Sequence, residues 1–329
     1  MNKEKLLKKG KVIILATGGT IAGVGESGKI MGYQPGSLSV DDLLKEVPQL
    51  KSVAFIETMQ ICNVNSDDIT DRIWLKLART VNELSKDPQI AGFVITHGTD
   101  TLEETAYFLN LVVKTKKPVV LTGSMRPATS ISADGPMNLY EAVCVAISEK
   151  AIGKGVLAVF SDHIYSARQV SKLNSFSLMA ISSGEMGAIG IVRDGDVHFY
   201  ENPDKTHTVD SCFMVGDLEK LPKVSILYFY VDADPALLEY AIANSKGVVI
   251  AGAGAGEYSL KFKEVIEKAS VPIVISSRIN ASLVPEKTLL SERTIAADNL
   301  PPQKAAVLLR LCLTMDLGID EIRKIFAEY

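Results

Sequence analysis

Short apolar runs alternate along the chain with longer amphipathic stretches. The runs cover residues 12–16, 92–96, 118–122, 155–160, 225–230, 247–251 and 272–275. They are rich in β-branched residues and apolar at nearly every position, as strands of a parallel sheet covered on both faces are. Between them, residues 40–47, 67–84, 102–113 and 138–149 place apolar side chains at helical spacing. Strand and helix in alternation predict an α/β, doubly wound architecture. The rhythm breaks near 195–222, where a Gly-Asp-rich stretch and a polar run read as a hairpin and a linker. A second strand-helix series starts at Lys223. The predicted organisation is therefore two domains. A larger N-terminal domain, residues 1–200, has a mostly parallel sheet flanked by helices. A linker follows over 201–221, and then a smaller C-terminal α/β domain over 222–329.

Composition narrows the function classes. The 329 residues carry a formal net charge of −4, and 47% are apolar. A general nucleic-acid binder would show a basic surface, and this chain does not. No apolar stretch approaches the roughly 18 residues of a membrane span. Charged residues continue to Lys11, and the apolar run after it is too short for a signal core. A cytoplasmic location is therefore expected, with the periplasm as the alternative if a signal has been removed. The cysteines (Cys62, Cys144, Cys212, Cys312) show no C-x-x-C spacing, and Cys144 and Cys312 read as small core residues. The histidines (His97, His163, His198, His207) show no metal-ligand spacing, so no metal is expected.

Two stretches share a layout that bears on chemistry. In Leu15-Ala16-Thr17-Gly18-Gly19-Thr20-Ile21-Ala22-Gly23 and in Ile95-Thr96-His97-Gly98-Thr99-Asp100-Thr101, a buried strand delivers a threonine just past its carboxyl end. Ligands of open α/β sheets collect at that edge. A single Gly-Gly-Thr is ordinarily a turn into a helix cap. Two at the ends of two strands, one followed by Asp100, point to a site instead. Nucleotide binding fits poorly. The first stretch lacks the Lys-Ser/Thr of a phosphate loop and has Thr20 at the second fingerprint glycine. Gly252-Ala253-Gly254-Ala255-Gly256-Glu257 puts a carboxylate where a pyrophosphate would sit. A threonine hydroxyl is a weak nucleophile and needs a partner. Tyr33, in a glycine-flanked loop, and Lys172 are candidates, and spacing alone places neither beside a threonine.

At these residues the chain resembles the bacterial type II L-asparaginases and asparaginase-glutaminases. The resemblance covers almost the whole length. It is carried by ATGGTIAG (16–23), ITHGTDTLEETA (95–106), GSMRP (123–127), SADGPMNLY (132–140), KLN (172–174), SSR (276–278) and PQKA (302–305). It implies that Thr20 attacks a side-chain amide and that Tyr33 assists it. It implies that Thr99, Asp100 and Lys172 form a supporting triad. Ser66 would hold the substrate α-carboxylate, Gly98 and Ser124 would line the amide end, and Asp67 and Glu286 would meet the ammonium. Glu286 would come from a neighbouring subunit in a homotetramer built of tight dimers. No cofactor is implied.

Two departures qualify the substrate, and a third bears on the compartment. Asp67 stands where the family usually has glutamine. With Asp100 and Glu286 it would crowd three carboxylates around one ammonium, so substrate affinity is expected to fall as pH drops and one of them is protonated. Ala255 replaces a polar residue linked to asparagine-versus-glutamine selectivity. Thr115 and residues 84–87 lack the cysteines that some periplasmic members pair. The expected reaction is L-asparagine to L-aspartate and ammonia. A glutaminase-leaning enzyme and, less well supported, a non-catalytic amino-acid sensor are the alternatives. Residues 23–36 hold several glycines and read as a lid.

Overall fold

The computed structural model describes residues 10–25, 40–280 and 282–329. Tyr33 and most of the expected lid lie outside these. The described chain divides into two units, Met1–Asp217 and Leu218–Tyr329.

The first unit is built on an eight-stranded sheet. Its strands are β1 (Lys11–Gly18), β2 (Phe55–Val64), β3 (Ile90–Thr96), β4 (Val119–Thr122), β5 (Val156–Phe160), β6 (His163–Ser166), and, further along, β9 (Gly190–Arg193) and β10 (Asp196–Phe199). A separate two-stranded ribbon, β7 (Ser171–Lys172) and β8 (Ile181–Ser182), lies between them in sequence. The order is β2-β1-β3-β4-β5-β6-β9-β10. The first five strands are parallel, and the last three extend the sheet antiparallel. The β9–β10 turn is Asp194-Gly195, both at positive φ, as the tightest hairpins require.

Helices cover both faces. Val12, Ile14, Ala16, Val94, Val120 and Leu157 form a core with α1 (Val40–Lys45), α2 (Leu50–Val53) and part of α5 (Gly135–Ala146). The helices α3 (Asp71–Leu84) and α4 (Leu102–Val112) pack on each other and bury Trp74, Leu75, Leu77, Phe108 and Leu109. Because both faces are covered, β1, β3, β4 and β5 are apolar at successive positions, which is why they were legible in sequence. β2 was not. It lies at the sheet edge, its residues are mostly part-exposed, and polar residues interrupt its pattern. The expected helix 67–84 begins only at Asp71, since Ser66–Asp68 form a 3₁₀ turn that ends the β2 excursion.

Past β10 the chain remains tied to the first unit. Lys114 donates to the carbonyls of Thr208 (3.1 Å) and Ser211 (2.5 Å), and Arg79 to that of Gly216 (3.0 Å).

The second unit is a parallel four-stranded sheet in sequential order: β11 (Val224–Tyr228), β12 (Gly247–Gly252), β13 (Ile273–Ser277) and β14 (Thr294–Ala296). α6 (Pro235–Asn244) and α7 (Leu260–Ile266) contribute Leu238, Ala241, Phe262 and Ile266 to its core. α8 (Pro302–Cys312) packs on β11, β12 and β13, and α9 (Ile319–Glu328) on β14. No helix among the described residues is long and apolar enough to cross a membrane.

Candidate active site

The strand order 2-1-3-4-5 reverses direction between β1 and β3, and open α/β sheets bind ligands at the carboxyl edge of that switch point. Register brings the expected residues there. Gly18 pairs with Val64, so Thr20 and Ser66 each stand two residues past a paired position. Thr96 pairs with Thr122, so Gly98 and Ser124 do the same on the other side. Four neighbouring strands thus deliver Ser66, Thr20, Gly98-Thr99 and Ser124 to one edge.

Glycine makes the approach between the two central loops possible. Gly19 has φ +82°, and a Cβ on it would lie 2.4 Å from both the Cα and the N of Gly98. A Cβ on Gly98 would in turn lie 2.9 Å from the Ser66 Oγ. Thr20, Ser66, Thr99 and Ser124 are all buried. Among the described residues the Ser66 hydroxyl has no hydrogen-bond partner. An orphaned buried hydroxyl is uncommon and invites a ligand. Ser124 donates to the Arg126 carbonyl (2.8 Å). Asp67 is exposed beside Ser66, and its carboxylate accepts from Asn65 Nδ2 at 2.8 Å.

Tertiary structure supplies Thr99 with its partner. Lys172 Nζ donates to Thr99 Oγ1 at 2.8 Å and pairs with Asp100 Oδ1 at 2.5 Å. The Lys172 side chain is only 16% exposed. Its backbone N–H donates to Glu103 Oε2 (2.8 Å), so the buried first turn of α4 holds the β7 ribbon in place. A cavity of about 240 Å³ opens beside this group, lined by Asp100, Glu103, Lys172, Leu173, Asn174 and Ser175.

The sequence reading passed over three further residues. Asp134 accepts from the N–H groups of Met125 and Arg126, both at 2.9 Å, and Asn138 donates to the Gly123 carbonyl at 3.0 Å. The start of α5 thereby clamps the loop that carries Ser124. His97 is fully buried. Its Nδ1 lies 2.7 Å from the Gly98 carbonyl, and its Nε2 lies 2.9 Å from Thr105 Oγ1, which accepts from Trp74 Nε1 at 2.8 Å. Burial pushes the imidazole down to about 4, against a weaker opposing effect of the Gly98 carbonyl. Only the Asp-Gly-Pro of residues 134–136, a helix-start signal, hinted at any of these.

Glu286 lies in the second unit, in a 3₁₀ turn, and pairs with Arg323 Nε at 3.0 Å. Tyr33 lies outside the described residues. Among the described residues no group of His, Cys, Asp and Glu could hold a metal ion.

Hydroxyls, a lysine and carboxylates gathered at the switch point of a doubly wound sheet define an α/β protein equipped for chemistry on a small polar ligand. Residues 11–205 match the family model for the asparaginase N-terminal domain, and residues 223–326 that for the glutaminase/asparaginase C-terminal domain. This chain belongs to the asparaginase family. It is 42% identical over 325 residues to the probable periplasmic L-asparaginase of Haemophilus influenzae, a match spanning 97% of this chain and 93% of that one. It is 41% identical over 335 residues to the glutaminase-asparaginase of Pseudomonas fluorescens biotype A, spanning 99% and 92%. Among solved structures, the probable cytoplasmic L-asparaginase of Campylobacter jejuni superposes with a TM-score of 0.91 at 43% identity, covering 97% of this chain and all of that one.

Proposed function

We propose that this protein hydrolyses L-asparagine to L-aspartate and ammonia. The observation that carries the reading is the Thr99–Lys172–Asp100 group at the end of β3, beside the loop of Thr20, where Gly19 and Gly98 come so close that neither has room for a Cβ.

The Thr20 Oγ attacks the side-chain amide carbon and forms a C–O bond as the carbonyl π pair moves to oxygen. Backbone N–H groups near Gly98 and Ser124 stabilise that oxyanion. Collapse expels ammonia, which takes up the proton lost by Thr20, and leaves an acyl ester. Water then attacks the ester carbon, giving aspartate and restoring the Thr20 hydroxyl. Lys172 and Asp100 orient the Thr99 hydroxyl, which positions the water and passes its proton. Tyr33 assists Thr20. The unpartnered Ser66 hydroxyl receives the α-carboxylate, and Asp67 faces the ammonium. Glu286, from a neighbouring subunit of a homotetramer of tight dimers, completes the ammonium pocket, with the 222–329 domain lending it. These roles for Tyr33, Asp67 and Glu286 rest on the family resemblance. Every step uses side-chain and backbone groups of the chain itself and calls for no cofactor.

Glutamine is the second reading, favoured by the glutaminase-asparaginase relative and by Ala255, which offers no polar side chain. One methylene discriminates by only about 1–3 kcal/mol. A cytoplasmic location fits four cysteines of which none forms a disulfide.

The test is ammonia release from both amides by wild type and by Thr20→Ala. Turnover of asparagine that Thr20→Ala abolishes supports the reading. Undiminished turnover in Thr20→Ala overturns the nucleophile, and binding of asparagine with no ammonia points to a sensor.

A further inference from the structure

The group around His97 has a definite proton order. A carbonyl oxygen only accepts, so the Nδ1 that lies 2.7 Å from the Gly98 carbonyl carries the hydrogen. In a neutral ring Nε2 then accepts, and Thr105 must donate to it at 2.9 Å. The Thr105 oxygen is left to accept from Trp74, whose indole N–H can only donate, at 2.8 Å. The relay runs one way, from α3 through α4 to the end of β3, with every polar atom in it satisfied. Trp74 is fixed in turn by a stack on Phe108, with ring centroids 4.9 Å apart.

The relay ends on the peptide between Gly98 and Thr99. No peptide among the described residues is cis. In a planar trans peptide the C=O and the following N–H point in opposite senses. The Gly98 carbonyl is turned to the buried His97 ring, so the Thr99 N–H is turned away from that ring.

We infer that His97 is a positioning residue for the reaction, holding the Gly98 carbonyl so that the Thr99 N–H faces the developing oxyanion. This deepens the proposed hydrolysis and rests on it. The buried imidazole, pushed down to about 4, stays neutral near pH 7 and keeps the relay intact.

Asparagine and glutamine substitutions split the relay. An Asn amide reaches the Nδ1 position and can donate to Gly98. A Gln amide reaches the Nε2 position, meets Thr105 and leaves Gly98 without its donor. Loss of an oxyanion donor costs roughly 10²–10³-fold in kcat. Misdirecting one by His97→Gln is expected to lower kcat roughly 10–100-fold with KM changed less than about 3-fold. His97→Asn is expected to restore kcat to within about 5-fold of wild type. Equal losses in both variants that track the folded fraction, or a change confined to KM, would overturn the inference.

A measurement on the wild-type protein needs no variant to fold. Nitrogen-15 NMR of histidine-labelled protein at pH 7 should show the His97 ring with a protonated Nδ1 and a bare Nε2. The opposite tautomer or an imidazolium for His97 refutes the inference. An inert wild-type enzyme would instead sink the proposed function, with the tautomer result still standing on its own.

Discussion

The ends of β1 and β3 carry the same residue type at the same edge of one sheet, yet they are built differently. Thr99 is held from several directions. Lys172 reaches its hydroxyl from a ribbon far along the chain, Glu103 holds that ribbon, and His97 holds the peptide before it. Thr20 stands on a turn whose shape comes from Gly18 at φ +104° and Gly19 at φ +82°. In the proposed reaction the two ends have different tasks: Thr99 positions water and passes protons, and Thr20 approaches a carbon, forms a bond and releases it.

The sharpest way to break the comparison is to remove each hydroxyl in turn. Thr20→Ala should lower kcat for asparagine about 10⁴-fold or more, read by ammonia release. Mass spectrometry of rapidly quenched enzyme should find the acyl group on the Thr20 peptide. An acyl group on the Thr99 peptide reverses the assignment. Lys172→Met removes the cation at the supported end and should cost roughly 10²–10⁴-fold in kcat with the protein still folded. A loss below 10-fold would reduce Lys172 to an ordinary ion pair.

Glycine substitutions test the turn that carries Thr20. Gly19→Ala adds a Cβ 2.4 Å from the Gly98 backbone at a positive φ, and should destabilise by about 3 kcal/mol or more in urea titration. Gly98→Ala puts a Cβ 2.9 Å from both the Cβ and the Oγ of Ser66 and 3.2 Å from the Gly19 Cα; its contacts are longer and its φ is not positive, so it should cost less, about 2 kcal/mol. Equal costs would mean the two loops are not backbone against backbone.

A further effect concerns acid stability at the Thr99 end. Unfolded His97 takes up a proton as pH falls through its ordinary value of 6.5, whereas the folded residue does so only near 4. The unfolded state therefore binds more protons in that window, and His97 makes stability rise with pH from about 4 to 6.5. Buried Glu141 acts in the opposite sense. Burial and a hydrogen bond with Asp162 push its carboxyl from 4.5 up to about 8, so the folded state holds the extra proton and stability falls with rising pH across that range. The two slopes offset each other in wild type. The difference between wild type and His97→Asn isolates the first, and should shift by up to about 3 kcal/mol in favour of wild type as pH rises from 4 to 6.5. A difference that stays flat with pH would mean the folded imidazole titrates normally.

The sequence by itself determined the class of fold and singled out the candidate chemistry-bearing residues. Strands buried on both faces must be apolar throughout, so β1, β3, β4, β5, β12 and β13 showed in the hydrophobic pattern, and glycines before Thr20 and Thr99 marked strand ends open to a ligand. Asp100 beside Thr99 was visible because it is adjacent in the chain. The edge strand β2 and the ribbon that carries Lys172 were hidden, since partial exposure and a two-residue strand leave no periodicity. Only the tertiary structure decided that Lys172, 73 residues away, touches Thr99, and that Trp74, Thr105 and His97 form one relay. The physical reason is register and packing. Contacts between strand ends depend on which strands neighbour each other and how they align, and buried polar partners are chosen by geometry that no local pattern records. For Thr20 the resemblance to a family supplied the role of attacker, and the register of β1 against β2 and β3 supplied the setting that makes the role physically reasonable.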